Sequence, residues 1–427
     1  MSKTAIAALR GRRVWDSRGR PTVEAEVHLA GGAVGRAIAP AGASTGSGEA
    51  LDLRDGGEAF GGLDVRNAAG NVNGPIAQAL LGLDAHEQAA IDARLAELDG
   101  TAEFCRLGGN AAIATSLAVL QAAAAAAGLP LWRYLAAGQP CRLPLPEIQI
   151  FGGGAHAGRR VDVQDFMVMC PAAASFAQAL DWTAEVYLAA GRLMAERGQL
   201  QGVADEGGYW PAFASNEEAL TALVAAIERA GFTPGGQVAI SLDIAASQLG
   251  KGGRYRLGLE GREYDSDGLC ELWGRWLERY PIVSIEDPLA EDDAAGMQRF
   301  TRAFGERVQI IGDDFLVTDA ARVRHAAADG ACNALLVKPN QAGTVTAAKA
   351  ALDAARAAGY AAIVSARSGE SEDVAIAHLA VGWDAGQLKV GSFSRSERMA
   401  KWNEVLRIEE AMGKAARFAG RGALRAT

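Results

Sequence analysis

The chain has 427 residues, with 51 acidic against 42 basic side chains and a formal net charge of −9 at neutral pH. An acidic chain without a basic stretch lacks the positive surface that binds nucleic-acid phosphates or anionic membranes, so neither is expected as a partner. The five cysteines form no C-x-x-C pair, which favours reduced thiols. No leader-like apolar segment occurs in residues 1–13, and no membrane span is expected. A cytoplasmic protein is the expectation.

The N-terminal part begins with a predicted hairpin. Residues 23–29 alternate between apolar and polar side chains, which predicts a half-buried strand. The Gly31-Gly32 pair predicts a turn, and residues 34–38 predict the returning strand. An alanine-rich helix is then predicted over residues 110–127.

Three prolines, Pro140, Pro144 and Pro146, follow within a few residues. Proline disfavours continuous regular structure, so we place a domain boundary here, between residues 1–138 and residues 139–427.

Beyond the boundary, short apolar runs that end in polar residues alternate with helical segments. Ser215 and Glu218 form a capping box that starts one of these helices, and Gly231 ends it. The predicted strands cover residues 161–169, 200–206, 238–243, 282–287, 308–314, 334–338, 361–365 and 387–391. Such alternation implies a parallel sheet, and eight strands imply a closed β/α barrel.

Three carboxylates follow strands of this barrel. Asp243, Glu286 and Asp313 end three apolar runs, and the carboxyl ends of barrel strands gather on one face. Gathered acids repel one another unless a cation neutralises them, and oxygen-only ligands suit Mg²⁺. Taken singly, each acid would fit a structural capping role better than a metal site.

Two lysines and an arginine follow later strands. Lys338 and Lys389 end apolar runs; a lysine that faces a metal can have a lowered pKa and act as a base, although a buried structural ion pair is the alternative. Arg367-Ser368-Gly369 suits an anionic group. Glu206, in the tight A-D-E-G-G loop, is a candidate acid.

Two glycine-rich stretches flank these candidates. Residues 42–48 read G-A-S-T-G-S-G, and residues 152–158 read G-G-G-A-H-A-G, with His156 near the centre. Both can be surface loops or lids that exclude water from a metal site.

Together these motifs resemble the enolase family over almost the whole chain. The similar motifs are D-S-R-G at 16–19, G-A-S-T-G at 42–46, D-E-G-G at 205–208, S-I-E-D-P at 284–288, G-D-D at 312–314, K-P-N-Q-A-G at 338–343, R-S-G-E at 367–370 and R-S-E-R at 395–398. The resemblance implies an α/β fold in which a modified β/α (TIM-type) barrel follows a smaller α+β domain. It also implies a homodimer or higher oligomer and a small anionic phosphorylated or phosphonylated substrate.

The resemblance also implies roles for individual residues. Asp243, Glu286 and Asp313 would bind one Mg²⁺, and Ser44 would help to bind a second. The implied catalytic and substrate-binding residues are Lys338 (base), Glu206 (acid), Lys389 (substrate carboxylate), Arg367 and Ser368 (phosphate), His156 (lid) and Gln164 (polar neighbour). In the enolase superfamily, a lysine base with bound Mg²⁺ stabilises the doubly charged form of the substrate carboxylate.

Two positions near this site depart from the enolase pattern. Ala366 stands in S-A-R-S-G where enolases carry His, and Asp165 stands in Q-D-F-M where they carry Glu. Two arginines, Arg159 and Arg160, follow the lid histidine. The loss of an imidazole opens volume beside the phosphate contacts, so we interpret the chain as a specialised enolase paralogue.

The carboxyphosphonoenolpyruvate synthases, enolase-like enzymes of phosphonate-antibiotic biosynthesis, offer such a case. Their product carries an extra carboxylate on phosphorus, for which Ala366 would leave room and with which Arg159 or Arg160 would pair. A phosphonoformyl group would arrive from a nucleotide-activated donor. The alternatives are a glycolytic enolase, which converts 2-phosphoglycerate to phosphoenolpyruvate, and a non-catalytic binding paralogue.

Overall fold

The computed structural model describes residues 2–425. Its N-terminal part contains an antiparallel sheet of three strands in the order β1-β2-β3. The strands are β1 (Ile6–Trp15), β2 (Pro21–Leu29) and β3 (Val34–Ile38). The helices are α1 (Arg66–Asn71), α2 (Ala77–Leu80), α3 (Gln88–Asp99), α4 (Gly109–Ala126) and α5 (Leu131–Ala136). The predicted hairpin and the predicted alanine-rich helix are therefore confirmed.

Helix α4 packs against β2 and β3 and forms the centre of this domain. A Cβ at Gly35 would lie 2.1 Å from Ala118 O and 2.3 Å from Ala122 N, so only glycine permits this approach of strand and helix. By length and hydropathy alone, α4 could cross a membrane, although no membrane span was expected from the sequence. However, 83% of the helix is buried inside the protein. It is a core helix of this domain.

The rest of the chain forms a closed barrel with a small hairpin sheet beside it. In chain order the strands are β4 (Leu145–Gly152), β5 (Asp165–Met169), β6 (Ala239–Asp243), β7 (Gly250–Lys251), β8 (Arg254–Leu257), β9 (Arg262–Asp265), β10 (Ile282–Glu286), β11 (Gln309–Gly312), β12 (Ala334–Val337), β13 (Ala361–Ser365) and β14 (Gly386–Ser392). Strands β7–β9 form the separate sheet, and the other eight close the barrel in the order β4-β5-β6-β10-β11-β12-β13-β14.

Helices cover the outside of the barrel. They are α6 (Phe176–Glu196), α7 (Asn216–Arg229), α8 (Ser266–Arg279), α9 (Ala294–Phe304), α10 (Ala320–Asp329), α11 (Pro339–Ala342), α12 (Val345–Ala357), α13 (Ala375–Gly382) and α14 (Ser396–Met412). The predicted cap of α7 is present, because Ser215 Oγ accepts a hydrogen bond from Glu218 N at 3.0 Å.

One predicted barrel strand is wrong. Residues 200–206 form a loop with a single bridge between Val203 and Tyr209, and Gly202 and Gly207 have φ angles of 103° and 93° that interrupt an extended chain. The missing strand is β4, which contains Pro146. The prolines that suggested a boundary concealed it, because proline is disfavoured in central strands.

The barrel is also not wholly parallel, contrary to the alternation argument. Strand β5 runs antiparallel to both β4 and β6. A short loop, residues 153–164, joins β4 to β5, and antiparallel neighbours need no helical crossover. The reversal carries the first residue of β5, Asp165, to the carboxyl end of the barrel, where it pairs with Gly152 and Asp243.

Candidate active site

The carboxyl ends of two neighbouring strands bring two acids side by side. Asp243 ends β6 and pairs in register with Glu286, which ends β10. Asp313 directly follows β11. Asp243, Glu286 and Asp313 are 2%, 0% and 5% exposed, respectively. Three carboxylates are therefore buried at one end of the barrel, as the strand pattern predicted.

Lys389 of β14 lies among these acids. Its Nζ is 2.8 Å from Glu286 Oε2, 3.0 Å from Asp243 Oδ2 and 3.3 Å from Asp165 Oδ2. Burial lowers the pKa of Lys389, but these carboxylates outweigh burial and raise it well above its usual value. The lysine is therefore a fixed positive charge.

Lys338, which follows β12, pairs with Asp313 Oδ2. Burial lowers the pKa of Lys338, but the charges of Asp313 and Glu286 outweigh it, so that its pKa is raised. The lowered pKa expected from the sequence is therefore not found while Asp313 is its partner. A cation bound at Asp313 would weaken this pairing and favour the neutral amine.

The donor set suits a hard divalent cation. Asp243, Glu286 and Asp313 offer carboxylate oxygens only, and within residues 2–425 Glu286 Oε1 is buried without a hydrogen-bond partner. Burial, followed by the charge of Asp243, raises the pKa of Glu286 well above its usual value, so a positive ion would stabilise its charged form. These residues fit Mg²⁺ in their chemistry.

Asp313 also belongs to a second arrangement of acids. Among the described residues, two groups of three side chains are compact enough to hold a metal ion. One is Asp287 with Asp313 and Asp314, and the other is His156 with Asp165 and Glu206. Within each group, one potential ligand atom of every residue lies within 4.8 Å of those of the other two. Asp287 is committed to the backbone, because its oxygens accept from Asp313 N at 3.0 Å and Asp314 N at 2.8 Å. It orients the loop that presents Asp313.

A second group in the site consists of His156 and two acids, of which Asp165 also contacts Lys389. His156 Nε2 lies 3.6 Å from Glu206 Oε1 and 4.0 Å from Asp165 Oδ1. Burial raises the pKa of Glu206, but the charges of His156, Arg398 and both lysines outweigh burial and lower it. Burial raises the pKa of Asp165, while Lys389 opposes that rise.

The phosphate-binding candidates meet the glycine-rich loop 42–48. Arg367 Nη1 lies 2.9 Å from Glu49 Oε2, and its Nη2 donates to the backbone oxygen of Ser44 at 2.8 Å. Ser368 Oγ accepts a hydrogen bond from Arg18 Nη1 at 3.0 Å. The loop therefore closes directly over Arg367.

Residues of both groups line one cavity. Its lining includes the predicted residues Ser44, His156, Gln164, Asp165, Glu206, Asp243, Lys338, Ala366, Arg367, Ser368 and Lys389. The free space is only about 20 Å³, enough for about one water molecule. A ligand much larger than water does not fit in this space.

Two family models match this chain. One, described as Enolase, N-terminal domain, matches residues 6–135, and the other, described as Enolase, C-terminal TIM barrel domain, matches residues 140–427. The chain belongs to the enolase family. It is an enolase-superfamily enzyme, and the predicted boundary at residues 138/139 lies in the interval between the two matched ranges.

Arg159 and Arg160, which follow His156 in the chain, do not line the cavity of this enolase-family site. Arg159 is exposed, with a left-handed φ of 59°, and lines a neighbouring cavity of about 250 Å³ together with Gln248 and Arg256. Arg160 is half-buried and is not part of the site lining. That Arg159 or Arg160 contacts the substrate stays a prediction, and the position of the two side chains outside the cavity lining does not favour it.

Three side chains that support the site were not predicted from the sequence. Glu49 pairs with Arg367, Gln341 Nε2 donates to Asp313 Oδ1 at 2.9 Å, and Gln149 contacts Asp165. Glu49 lies three residues after Gly46, and Gln341 lies inside K-P-N-Q-A-G, so both stand in or beside motifs already noted. Gln149 lies on the strand that was not predicted.

Proposed function

We propose that the protein is a Mg²⁺-dependent dehydratase acting on a phosphoglycerate-type substrate. It would remove the proton next to the substrate carboxylate and eliminate water to form an enolpyruvate ester. One observation carries the proposal: Lys338 and Glu206 line one cavity together with Arg367 and Lys389. The proposed base, the proposed acid and two cationic side chains thus border the same cavity.

The base side of the reaction depends on Lys338. As a neutral amine it would take the proton from the α-carbon, while Lys389 would hold the substrate carboxylate. Bound Mg²⁺ would supply the positive charge that stabilises the additional negative charge on that carboxylate. Asp243, Glu286 and Asp313 would hold the ion, and Ser44 would contribute to a second one.

The acid side depends on Glu206. As a protonated carboxyl group, it would give its proton to the departing β-hydroxyl, which leaves as water while the carbon–carbon double bond forms. In the protein alone, surrounding cations keep its pKa low. An anionic substrate would offset these cations and raise that pKa, so we expect Glu206 to be protonated in the substrate complex.

We further propose a specialised substrate whose phosphorus group is larger than phosphate, as in the carboxyphosphonoenolpyruvate synthases. Ala366 is 7% exposed and lines the cavity next to Arg367. A histidine at that position would occupy space beside the phosphorus group, whereas the alanine methyl occupies much less of it. A phosphonoformyl group would meet this requirement. The 2-hydroxyl oxygen of a 3-phosphoglycerate acceptor would bond to the phosphorus of the activated donor as the nucleotide leaves, and the elimination that follows would release the 3-phosphate in place of water.

Two assays on the purified protein separate the candidate functions. The first follows phosphoenolpyruvate absorbance with 2-phosphoglycerate and Mg²⁺; the second uses phosphorus NMR with an activated phosphonoformate and a phosphoglycerate. We expect a new enol ester in the second assay and little product in the first. Turnover of 2-phosphoglycerate at about 1–1000 per second would identify a glycolytic enolase instead, and Mg²⁺ binding without product in either assay would indicate a non-catalytic paralogue.

A further inference from the structure

Glu147 is a buried acid inside the barrel that the proposed reaction does not use. It lies on β4, is 0% exposed, and pairs in register with Lys389 of β14. Throughout the described part of the chain, neither of its carboxylate oxygens has a hydrogen-bond partner. A buried carboxyl group without a hydrogen-bond partner lowers the stability of the folded protein. The burial of Glu147 therefore needs a physical explanation.

Two glutamines inside the barrel, Gln309 and Gln387, form hydrogen bonds with neighbouring side chains. Gln309 Nε2 donates to Ser284 Oγ and to Gln387 Oε1, both at 3.0 Å, and Gln387 returns a hydrogen bond at 2.9 Å. The barrel interior can therefore accommodate polar side chains in pairs. Glu147 is not part of this network, and the nearest cation identified by strand register is Lys389.

The carboxylates that surround Lys389 suggest a role for Glu147. Two of its three close carboxylates, Asp243 and Glu286, are the proposed Mg²⁺ ligands. A divalent ion bound to them would compete for these oxygens and repel the ammonium group. A buried ammonium that loses its counter-charges is strongly destabilised, and Asp165 at 3.3 Å would be the only close acid left.

We propose that Glu147 is a positioning residue, the reserve counter-charge that holds Lys389 when a divalent cation occupies Asp243 and Glu286. The inference rests on the proposed metal site. Burial raises the pKa of Glu147 to about 7, with Lys389 acting in the opposite direction and Asp243 and Asp165 adding to the rise. The carboxyl group can therefore ionise once neighbouring negative charge is neutralised.

Mg²⁺ binding tests this role independently of turnover. Titration calorimetry and the shift of the melting temperature on Mg²⁺ addition are measured for wild type, Glu147→Gln and Glu147→Asp. Ser241→Ala is the matched control, because Ser241 Oγ is another buried, unpartnered group inside the described barrel. We expect about tenfold weaker Mg²⁺ binding in Glu147→Gln, equivalent to about 1.4 kcal/mol, and at least partial recovery in Glu147→Asp.

The metal-free protein supplies the second readout. In chelator, Glu147→Gln should melt at or above the wild-type temperature, because an unpartnered carboxyl group has been replaced by a neutral amide of the same shape. Equal Mg²⁺ affinity in wild type and Glu147→Gln, or a lower melting temperature in chelator, would overturn the positioning role. Failure of wild type to bind Mg²⁺ would overturn the proposed metal site as well, so the two failures are distinguishable.

Discussion

The guanidinium group of Arg367 is held by the carboxylate of Glu49, 2.9 Å away, with 3% and 6% of the two side chains exposed. Glu49 is thus already paired with the arginine that we expect to bind the phosphorus group of the substrate. An anion that binds there must displace an internal carboxylate. The closed loop over residues 42–48 and the small free volume of the site are consistent with this competition.

The substitution Glu49→Gln tests this competition. The amide oxygen can still accept the hydrogen bond that Glu49 Oε1 receives from Gly46 N at 2.8 Å, while the negative charge is lost. We expect inorganic phosphate to bind about tenfold more tightly, since a charged hydrogen bond contributes about 1.5–3 kcal/mol. Calorimetric titration with phosphate measures this change, and unchanged or weaker binding would contradict the competition.

Ala366→His tests the volume available beside Arg367. The imidazole would fill space next to the phosphorus group, and overfilling a packed region typically costs about 1–3 kcal/mol. We expect kcat/KM for the phosphonoformyl substrate to fall about tenfold or more, while turnover of 2-phosphoglycerate is retained or increases. Equal use of the larger substrate by wild type and variant would remove the volume argument.

The buried ion pair between Lys401 and Glu370 supports the loop that carries Arg367. Lys401 Nζ lies 2.9 Å from Glu370 Oε2, and Glu370 Oε1 accepts from Arg367 N at 2.9 Å. Lys401→Met leaves a buried carboxylate unpaired and should lower the free energy of unfolding by about 3–5 kcal/mol.

Urea unfolding of Lys401→Met measures this loss. Lys349→Met, which breaks the exposed pair of Lys349 with Asp353, is the control and should change the free energy of unfolding by about 0.5 kcal/mol or less. Similar losses in both variants would refute a special role for the buried pair. The double substitution Lys401→Met with Glu370→Gln should recover part of the loss.

We expect Asp314 to make the metal-free protein less stable as the pH rises. Burial, followed by the charge of Asp313, raises the pKa of Asp314 to about 7, whereas an unfolded aspartate has a pKa of about 3.9. Between these values the folded state binds more protons than the unfolded state, so stability falls with increasing pH.

We expect Asp314→Asn to reduce this pH dependence in chelator. Between pH 5 and pH 8, wild type should lose at least about 1 kcal/mol more of its free energy of unfolding than the variant does. Urea unfolding at the two pH values measures the difference. If the free energy of unfolding of wild type falls by no more than that of the variant between pH 5 and pH 8, the raised pKa of Asp314 is contradicted.

Most residues of the proposed metal site were predictable because chemistry and periodicity coincide there. Asp243, Glu286, Asp313 and Lys338 each end an apolar run, and the carboxyl ends of barrel strands gather on one face. Their convergence follows from local patterns, together with the general rule for barrels.

Other features depend on contacts that local patterns do not contain. Asp165 enters the site because β5 is reversed, whereas alternating strands and helices suggest a parallel barrel. Glu49 reaches Arg367 across 318 positions of the chain. The strand β4, with Glu147 and Gln149, was concealed by Pro146, whose local preference was overridden by the closure of the barrel.

The most direct test of the proposed chemistry is exchange of the substrate α-proton with solvent, followed by proton NMR in deuterated buffer with Mg²⁺. The phosphoglycerate acceptor and its phosphonoformylated form are both offered as substrates. Wild type should exchange the α-proton of its accepted substrate, and Lys338→Ala should slow this exchange by at least about a hundredfold, the lower range for general base catalysis. The exposed-lysine variant Lys349→Ala should exchange at the wild-type rate. Undiminished exchange in Lys338→Ala would contradict the assignment of Lys338 as the base.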